Sequence, residues 1–270
     1  MGNGQPNFQL FTSLRFDTLL LQSPENTALA PGPSPFYMLS YHRDRILHAA
    51  TYFKWTEAIT SLSGPEGLRR LLENLEAAID LKSTTPLRIR IILNSKGEIM
   101  VETSETTRVP LGNLFPTCIP SPRAVGVKSP PLVEAALVPH EQQAWTIVVD
   151  PMRTKPSPFT SYKTTCRDMY MEARDRVGIK TMTEPQEVLI ISERGEEIME
   201  GSLTSVFFWR NGRWVTPPAA SGGQVGTSRR WLLEKGLCEE EVTTAQSLVD
   251  GEECWISNGV RGLSWGKIRL

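Results

Sequence analysis

The sequence predicts an α/β fold with two domains. Segments rich in β-branched and aromatic residues alternate with segments of helical periodicity along all 270 residues. With 40% hydrophobic and 22% charged residues, the chain can bury the core of one large domain or two modest ones. We expect an N-terminal α/β domain over residues 1–115, a Pro-rich interdomain link over residues 116–139, and a C-terminal α/β domain over residues 140–270.

The first half reads as strands, then helices, then a strand hairpin. Strand-like runs at 8–16 and 36–40 flank a turn-rich Pro-Gly-Pro-Ser-Pro stretch. Helical patterns follow at 43–62 and 65–81, and the second begins with a proline and places four leucines on one face. Residues 87–93 and 98–102 then form a predicted hairpin around Asn-Ser-Lys-Gly.

Seven prolines between Val109 and Pro139 disfavour continuous helix or interior strand there. We place the domain link in this stretch. The alternative is a long surface loop within one domain, which is less common in compact proteins.

The second half restarts with strand patterns, and Asn211-Gly212 supplies a tight hairpin turn. Residues 164–177 have the periodicity of a helix that ends at Gly178. The predicted strands cover residues 145–149, 188–191, 205–209, 214–216 and 254–256.

Charge and cysteine content exclude several classes of protein. With 29 basic and 30 acidic residues, there is no excess charge for a broad nucleic-acid or acidic membrane surface. Four widely spaced cysteines form no CxxC pair, and the three histidines lie in unrelated surroundings, so no metal site is predicted. The sequence has neither signal-peptide features nor an apolar run long enough for a membrane span, and we expect a cytoplasmic protein.

An amine and a carboxylate suggest pyridoxal 5'-phosphate (PLP) chemistry. Lys163 lies in Tyr-Lys-Thr-Thr, and Glu200 opens a Glu-Gly-Ser turn 37 residues later. A lysine can hold the cofactor aldehyde as a Schiff base, and a carboxylate can keep the ring nitrogen protonated. Taken singly, each residue is equally well explained as a solvated surface group.

A glycine-rich loop at residues 221–226 runs directly into an amphipathic helix. Backbone N–H groups at such a helix start can bind a phosphate, and Thr227 and Ser228 add hydroxyl donors. The loop matches neither the Walker motif nor GxGxxG. An ordinary N-capped helix is the alternative.

Taken together, these segments resemble the fold-type IV class of PLP enzymes, which includes branched-chain and D-amino acid transaminases and aminodeoxychorismate lyases. Five blocks carry the resemblance in order: residues 42–47, the Lys163 segment, Glu200-Gly201-Ser202, residues 226–229, and residues 257–262. The Tyr-Lys-Thr-Thr-x-Arg-x-x-Tyr-x-x-Ala-Arg pattern is most similar to the fungal aminodeoxychorismate lyases.

The resemblance implies a role for each matching residue. Lys163 would form the Schiff base and act as catalytic base, and Glu200 would pair with the ring nitrogen. The remaining cofactor ligands would be Arg45, Thr227, Ser228 and Ser257. The implied reaction converts 4-amino-4-deoxychorismate to 4-aminobenzoate and pyruvate, within folate precursor synthesis. The C-terminal domain would be the cofactor-binding one, with the cofactor between the two domains of each subunit of a homodimer.

Two alternatives stay open on these residues. A branched-chain or D-amino acid transaminase would use the same lysine and glutamate, and a non-catalytic scaffold or binding protein could retain the fold. Ser205 and Thr227-Ser228 depart from the class pattern, which usually has asparagine and Ile-Thr there, and so weaken any inference about substrate. The arginines that could hold substrate carboxylates are Arg15, Arg88, Arg90 and Arg261.

Overall fold

The computed structural model describes residues 7–122 and 144–270. The chain divides into two compact units, which we call the first unit, up to Leu111 together with Tyr162–Cys166, and the second unit, Gly112–Ser161 with Arg167–Leu270. The domain boundaries predicted from the sequence had placed residues 162–166 in the C-terminal domain, not in the first unit. Most of the predicted Pro-rich link, residues 123–139, lies outside the described residues, and residues 116–122 belong to the second unit.

A three-stranded antiparallel sheet forms the base of the first unit. Its strands are β1 (Leu10–Phe16), β2 (Leu87–Leu93) and β3 (Ile99–Glu105), in that order. Alternate residues of β1 and β2, such as Leu14 and Ile89, point to one face and are fully buried. This inward face is the hydrophobic core of the unit.

Three helices pack on that inward face, namely α2 (Leu39–Tyr52), α3 (Thr56–Leu62) and α4 (Gly64–Ala78), and a short helix, α1 (Pro24–Thr27), precedes them. The predicted single helix over 43–62 is wrong, since the chain turns at Lys54 with φ 58°. The predicted strand over 36–40 is also wrong. Phe36 makes one bridge to Phe16, and Met38 adopts a left-handed conformation that starts α2.

An eight-stranded mixed sheet forms the second unit, in the order β6-β5-β4-β11-β10-β7-β8-β9. The strands are β4 (Trp145–Thr154), β5 (Gln186–Ser192), β6 (Ile198–Gly201), β7 (Ser205–Arg210), β8 (Arg213–Thr216), β9 (Glu239–Glu240), β10 (Glu253–Asn258) and β11 (Gly262–Arg269). The helices are α5 (Leu111–Leu114), α6 (Pro158–Ser161), α7 (Asp168–Arg176) and α8 (Thr227–Glu234).

Both faces of the central part of this sheet are buried. On one face, Val188 and Ile190 of β5 pack in a cluster with Tyr170 and Ala173 of α7. On the other, Leu189 and its neighbours join a larger cluster from β4, β7, β8, β10 and β11. The α/β fold class predicted from the sequence is confirmed, and the predicted hairpin turn at Asn211-Gly212 joins β7 to β8 with both residues at positive φ.

Three strands of the second unit were not predicted, namely β6, β9 and β11. β6 has four residues, β9 has two, and β11 contains two glycines, so none of them has a strong strand signature. Among the described residues, no helix is long and apolar enough to cross a membrane.

Candidate active site

Lys163 belongs to an extended segment that pairs with the edge of β1. The Phe11 N–H donates to the Lys163 carbonyl at 3.0 Å, and the Thr165 N–H donates to the Gln9 carbonyl at 2.9 Å. The predicted helix over 164–177 is therefore wrong at its start, because these residues use their backbone groups in a β pairing and α7 begins at Asp168. This pairing holds the lysine backbone in a sheet of the first unit.

A polar cluster in the first unit lies near this lysine. Arg45 and His42 are three residues apart on α2, and both contact the Thr12 hydroxyl: the Arg45 guanidinium donates to Oγ1, and His42 Nδ1 lies 2.6 Å from it. One hydroxyl therefore links the Arg45 guanidinium and the His42 imidazole by hydrogen bonds.

Charge and burial keep His42 neutral. Its side chain is fully buried. Burial, followed by the positive charges of Arg45 and Lys163, holds the pKa of His42 well below its ordinary value. The electrostatic effect of both cations on one imidazole indicates that Arg45 and Lys163 lie close to His42, so two of the predicted site residues share one cluster.

A His42→Gln variant is expected to change how stability depends on pH. Neutral His42 stabilises the folded chain above the unfolded pKa of about 6.5, and this contribution is lost as pH falls below that value, because only the unfolded state takes up the proton. The free energy of unfolding of the wild type should therefore fall more steeply than that of the variant between pH 6.5 and 5. Exposed His48 provides the matched control, His48→Gln. Equal slopes for wild type and His42→Gln would contradict the assignment.

One aromatic ring of β1 faces the lysine. Lys163 Nζ lies 5.3 Å from the centre of the Phe11 ring, and the Arg90 guanidinium lies 4.6 Å from the same ring. Cations at such distances are attracted to the face of an aromatic ring. Sequence reasoning did not select Phe11 or Thr12, because neither has a local signature and both reach the site through strand pairing.

Glu200 is the penultimate residue of β6 in the second unit and is nearly buried, with 7% of its surface exposed. The Tyr170 hydroxyl donates to Glu200 Oε1 at 2.5 Å, and Gln224 Nε2 donates to the Tyr170 oxygen at 3.4 Å. Burial, and then the negative charge of Glu200, raises the pKa of Tyr170 well above its ordinary value. Tyr170 therefore stays protonated and acts as a hydrogen-bond donor to the carboxylate.

A second buried carboxylate, that of Glu187, stabilises the turn formed by Gly201 to Thr204. Glu187 on β5 accepts from Ser202 Oγ at 2.5 Å, from Thr204 Oγ1 at 2.8 Å and from the Leu203 N–H at 3.1 Å. Gly201 is required in this turn, since a Cβ there would lie 2.4 Å from Thr204 Oγ1 and 2.9 Å from Glu187. Nothing in the sequence around Glu187 indicates this role.

The glycine-rich loop packs tightly before α8. A Cβ on Gly223 would lie 2.5 Å from the Met199 carbonyl oxygen and 3.3 Å from Glu200 Cβ, and one on Gly226 would lie 2.5 Å from Ser205 Oγ. The loop therefore runs directly against the strand that carries Glu200, and side chains larger than hydrogen are excluded at both positions.

Buried hydroxyls lie at the start of α8. Thr227 and Ser228 are its first two residues and are almost fully buried, and the Ser228 hydroxyl is 2.8 Å from that of Ser257 on β10. The N-cap residue of this helix is Gly226, which has no side chain that could accept from the first N–H groups. Hydroxyl donors and helix N–H groups form the kind of site that binds phosphate.

The six predicted site residues thus fall into two sets. The first unit carries Arg45 and Lys163, and the second carries Glu200, Thr227, Ser228 and Ser257. Within the second unit, the carboxylate and the hydroxyls are linked through Tyr170, Gln224 and the loop that leads to α8. This donor set fits PLP, because a nearly buried carboxylate suits a protonated ring nitrogen and the hydroxyls at the helix start suit a phosphate.

A family model described as amino-transferase class IV matches residues 16–265. The chain belongs to this family. The resemblance inferred from the sequence blocks is thereby confirmed. Membership of this family implies PLP as the cofactor.

Two curated fungal relatives are similar in sequence. The chain is 29% identical over 260 residues to the aminodeoxychorismate lyase of Saccharomyces cerevisiae, a match that covers 87% of this chain and 68% of that protein. It is 31% identical over 131 residues to a provisionally named aminodeoxychorismate lyase of Schizosaccharomyces pombe. The second match covers 47% of this chain and about half, 56%, of that relative.

Solved structures have the same fold. A provisionally named amino-acid aminotransferase from Mesorhizobium loti matches with a TM-score of 0.66 and 23% identity, over 97% of this chain and 100% of that one. The PLP-bound form of a hypothetical aminotransferase from Mycobacterium tuberculosis matches with a TM-score of 0.57 and 16% identity, over 96% and 80% of the two chains. At these identities, the likeness shows the fold alone.

Proposed function

We propose that this protein is an aminodeoxychorismate lyase that uses PLP to convert 4-amino-4-deoxychorismate to 4-aminobenzoate and pyruvate. The observation that carries the proposal is the hydrogen-bonded Tyr170–Glu200 pair beside a tightly packed glycine-rich loop that leads into α8. Family membership and the names of the two fungal relatives support the choice of reaction. We also propose that the protein is cytoplasmic and forms a homodimer.

The proposal assigns the cofactor to the two sets of residues described above. Lys163 would hold it through Nζ, and Glu200 would accept a hydrogen bond from its ring nitrogen. Its phosphate ligands would be Arg45, Thr227, Ser228 and Ser257. When bound, PLP supplies an aldehyde that combines with primary amines and a ring that takes up the electron pair left by proton loss.

Lys163 would move the proton in the proposed reaction. With the substrate amine in its place on the cofactor, the Lys163 amine would remove the proton from the substrate ring carbon that bears the amino group. Glu200, as a carboxylate, would keep the positive charge on the neighbouring ring nitrogen and so make this proton loss easier. Loss of the enolpyruvyl group as pyruvate then gives the aromatic product, which favours the elimination.

The neutral state of His42 limits the positive charge around Arg45 and Lys163. An imidazolium beside Arg45 and Lys163 would add a third positive charge to their cluster, and burial prevents this. Thr12 then orients both Arg45 and His42 through one hydroxyl. The arrangement leaves a fixed guanidinium on α2, which suits the proposed phosphate contact of Arg45.

Ser228→Ala is expected to weaken PLP binding about tenfold, because a hydroxyl that hydrogen-bonds a charged phosphate contributes roughly 1.5–3 kcal/mol. Pyridoxal, which lacks the phosphate, should bind wild type and variant within about twofold of each other. Equilibrium dissociation constants for both ligands, measured by quenching of tryptophan fluorescence, check the prediction. If the variant loses affinity for PLP and pyridoxal alike, Ser228 does not contact the phosphate.

The proposed reaction is tested by measuring both products. Protein loaded with PLP is mixed with 4-amino-4-deoxychorismate in the absence of any keto acid, and 4-aminobenzoate and pyruvate are quantified together. We expect the two products in equal amounts. Formation of neither product in this mixture, followed by amino-group transfer when a branched-chain keto acid is added, would replace the lyase by the transaminase that the same family also contains.

A further inference from the structure

We propose that Tyr170 is a positioning residue for the PLP ring, acting through Glu200, with its hydroxyl fixing the carboxylate in place and favouring its ionised form. This inference rests on the proposed function, since it takes Glu200 as the partner of the ring nitrogen. Tyr170 lies 30 residues before Glu200 in the chain and on a different element, α7. Nothing in the local sequence around either residue indicates the pairing.

The hydrogen-bond geometry supports donation from Tyr170 to Glu200. The Tyr170 oxygen is 2.5 Å from Glu200 Oε1 and 3.2 Å from the Thr160 carbonyl oxygen. A phenol has one proton to donate, and the shorter contact to a charged acceptor takes it. Gln224 donates to the same phenolic oxygen at 3.4 Å, which favours the orientation of the proton toward Glu200.

The ring of Tyr170 is itself held from both sides. It is 1% exposed within the cluster formed by α7, β5 and β6, and the Arg167 guanidinium lies 4.3 Å from its centre. Arg167 in turn donates to the Ser202 carbonyl at 2.7 Å, two residues after Glu200. The phenol therefore has little rotational freedom, and the carboxylate that it contacts is held correspondingly well.

Two effects on the cofactor follow. A carboxylate that accepts a strong hydrogen bond is stabilised in its charged form, and a charged Glu200 attracts a protonated ring nitrogen. A fixed carboxylate also loses less conformational freedom when the cofactor binds. Both effects depend on the ring nitrogen, so they should disappear when that atom is removed from the ligand.

The test compares Tyr170→Phe with wild type for two ligands, PLP and its 1-deaza analogue, in which carbon replaces the ring nitrogen. The variant keeps the ring and removes only the hydroxyl. We expect Tyr170→Phe to weaken PLP binding about tenfold, as for the loss of a hydrogen bond to a charged group. Its affinity for the deaza analogue should change by less than about twofold. Binding is followed by fluorescence quenching, independently of turnover.

A double-mutant cycle with Glu200→Gln gives a second measurement. If Tyr170 acts through Glu200, Tyr170→Phe should weaken PLP binding much less in the Glu200→Gln background than in wild type. Equal losses for PLP and the deaza analogue, or additive losses in the cycle, would overturn the proposal and leave Tyr170 a purely structural residue. Circular dichroism and thermal unfolding of each variant establish that it is folded.

Failure of the proposed function is recognised separately in the same samples. Borohydride reduction of wild-type protein with PLP should attach the cofactor to Lys163, detected as a peptide mass. Without that adduct, the proposed cofactor role of Lys163 fails whatever Tyr170 does. With the adduct present and no difference between the two ligands, only the role of Tyr170 is refuted.

Discussion

Lys163→Ala is expected to lower the rate of 4-aminobenzoate formation at least about 10³-fold, because it removes both the amine that holds the cofactor and the proposed base. The loss should appear in the rate with saturating PLP, so that weaker cofactor binding does not account for it. Borohydride reduction should no longer attach the cofactor to the chain. The product is followed by its fluorescence, and the adduct by mass spectrometry.

Two further variants separate the roles of the lysine. Lys163→Arg keeps the positive charge near Phe11 and His42 but has no primary amine, so it should be as inactive as the alanine variant. Lys155→Ala removes an exposed lysine and should leave both activity and the adduct intact. Substantial activity of either Lys163 variant would refute the assignment of this residue.

Glu187→Ala is expected to destabilise the second unit by about 3–5 kcal/mol, because it leaves the buried Arg174 guanidinium without its carboxylate. The two side chains are 3.7 Å apart, and Glu187 and Arg174 are 0% and 2% exposed. The same change removes the acceptor for Ser202 and Thr204 in the turn after Glu200. Urea unfolding followed by tryptophan fluorescence measures the loss.

A matched exposed carboxylate provides the control. Glu172 on α7 is 67% exposed and pairs with Arg176 at 3.8 Å, so Glu172→Ala should cost no more than about 0.5 kcal/mol. Glu187→Gln keeps the size and some hydrogen bonds of the original side chain and should fall between these two variants. A loss below about 1 kcal/mol for Glu187→Ala would show that the buried network contributes little.

Two short motifs show in the sequence itself why their residues are needed. Glu200-Gly201-Ser202 and the loop before α8 carry their constraint locally, because glycines are needed where the backbone packs closely. The strand over Leu87–Leu93 was likewise predicted with its observed bounds, since Arg88 and Arg90 alternate with apolar residues in its first part. Roles for the individual site residues remain predictions until the variants are measured.

Residues that act through distant pairing could not be predicted. The predicted helix over 164–177 includes Thr165, yet the backbone groups of Lys163 and Thr165 pair with Phe11 and Gln9, some 150 residues earlier in the chain. Thr12 and Glu187 likewise gain their roles from side chains that lie far away in sequence. Tyr170 lies within the helix predicted over 164–177, but its hydroxyl contact with Glu200 required the three-dimensional arrangement.

The number of turnovers without an amino acceptor tests the proposed lyase most directly. PLP-loaded protein is mixed with a large excess of 4-amino-4-deoxychorismate, with no keto acid, and 4-aminobenzoate is counted per protein chain over time. We predict continued release well beyond one product per chain, because lyase chemistry returns Lys163 to the cofactor after each cycle. Consumption of substrate that stops at one equivalent, with the amino group left on the cofactor, would contradict the lyase and identify a transaminase.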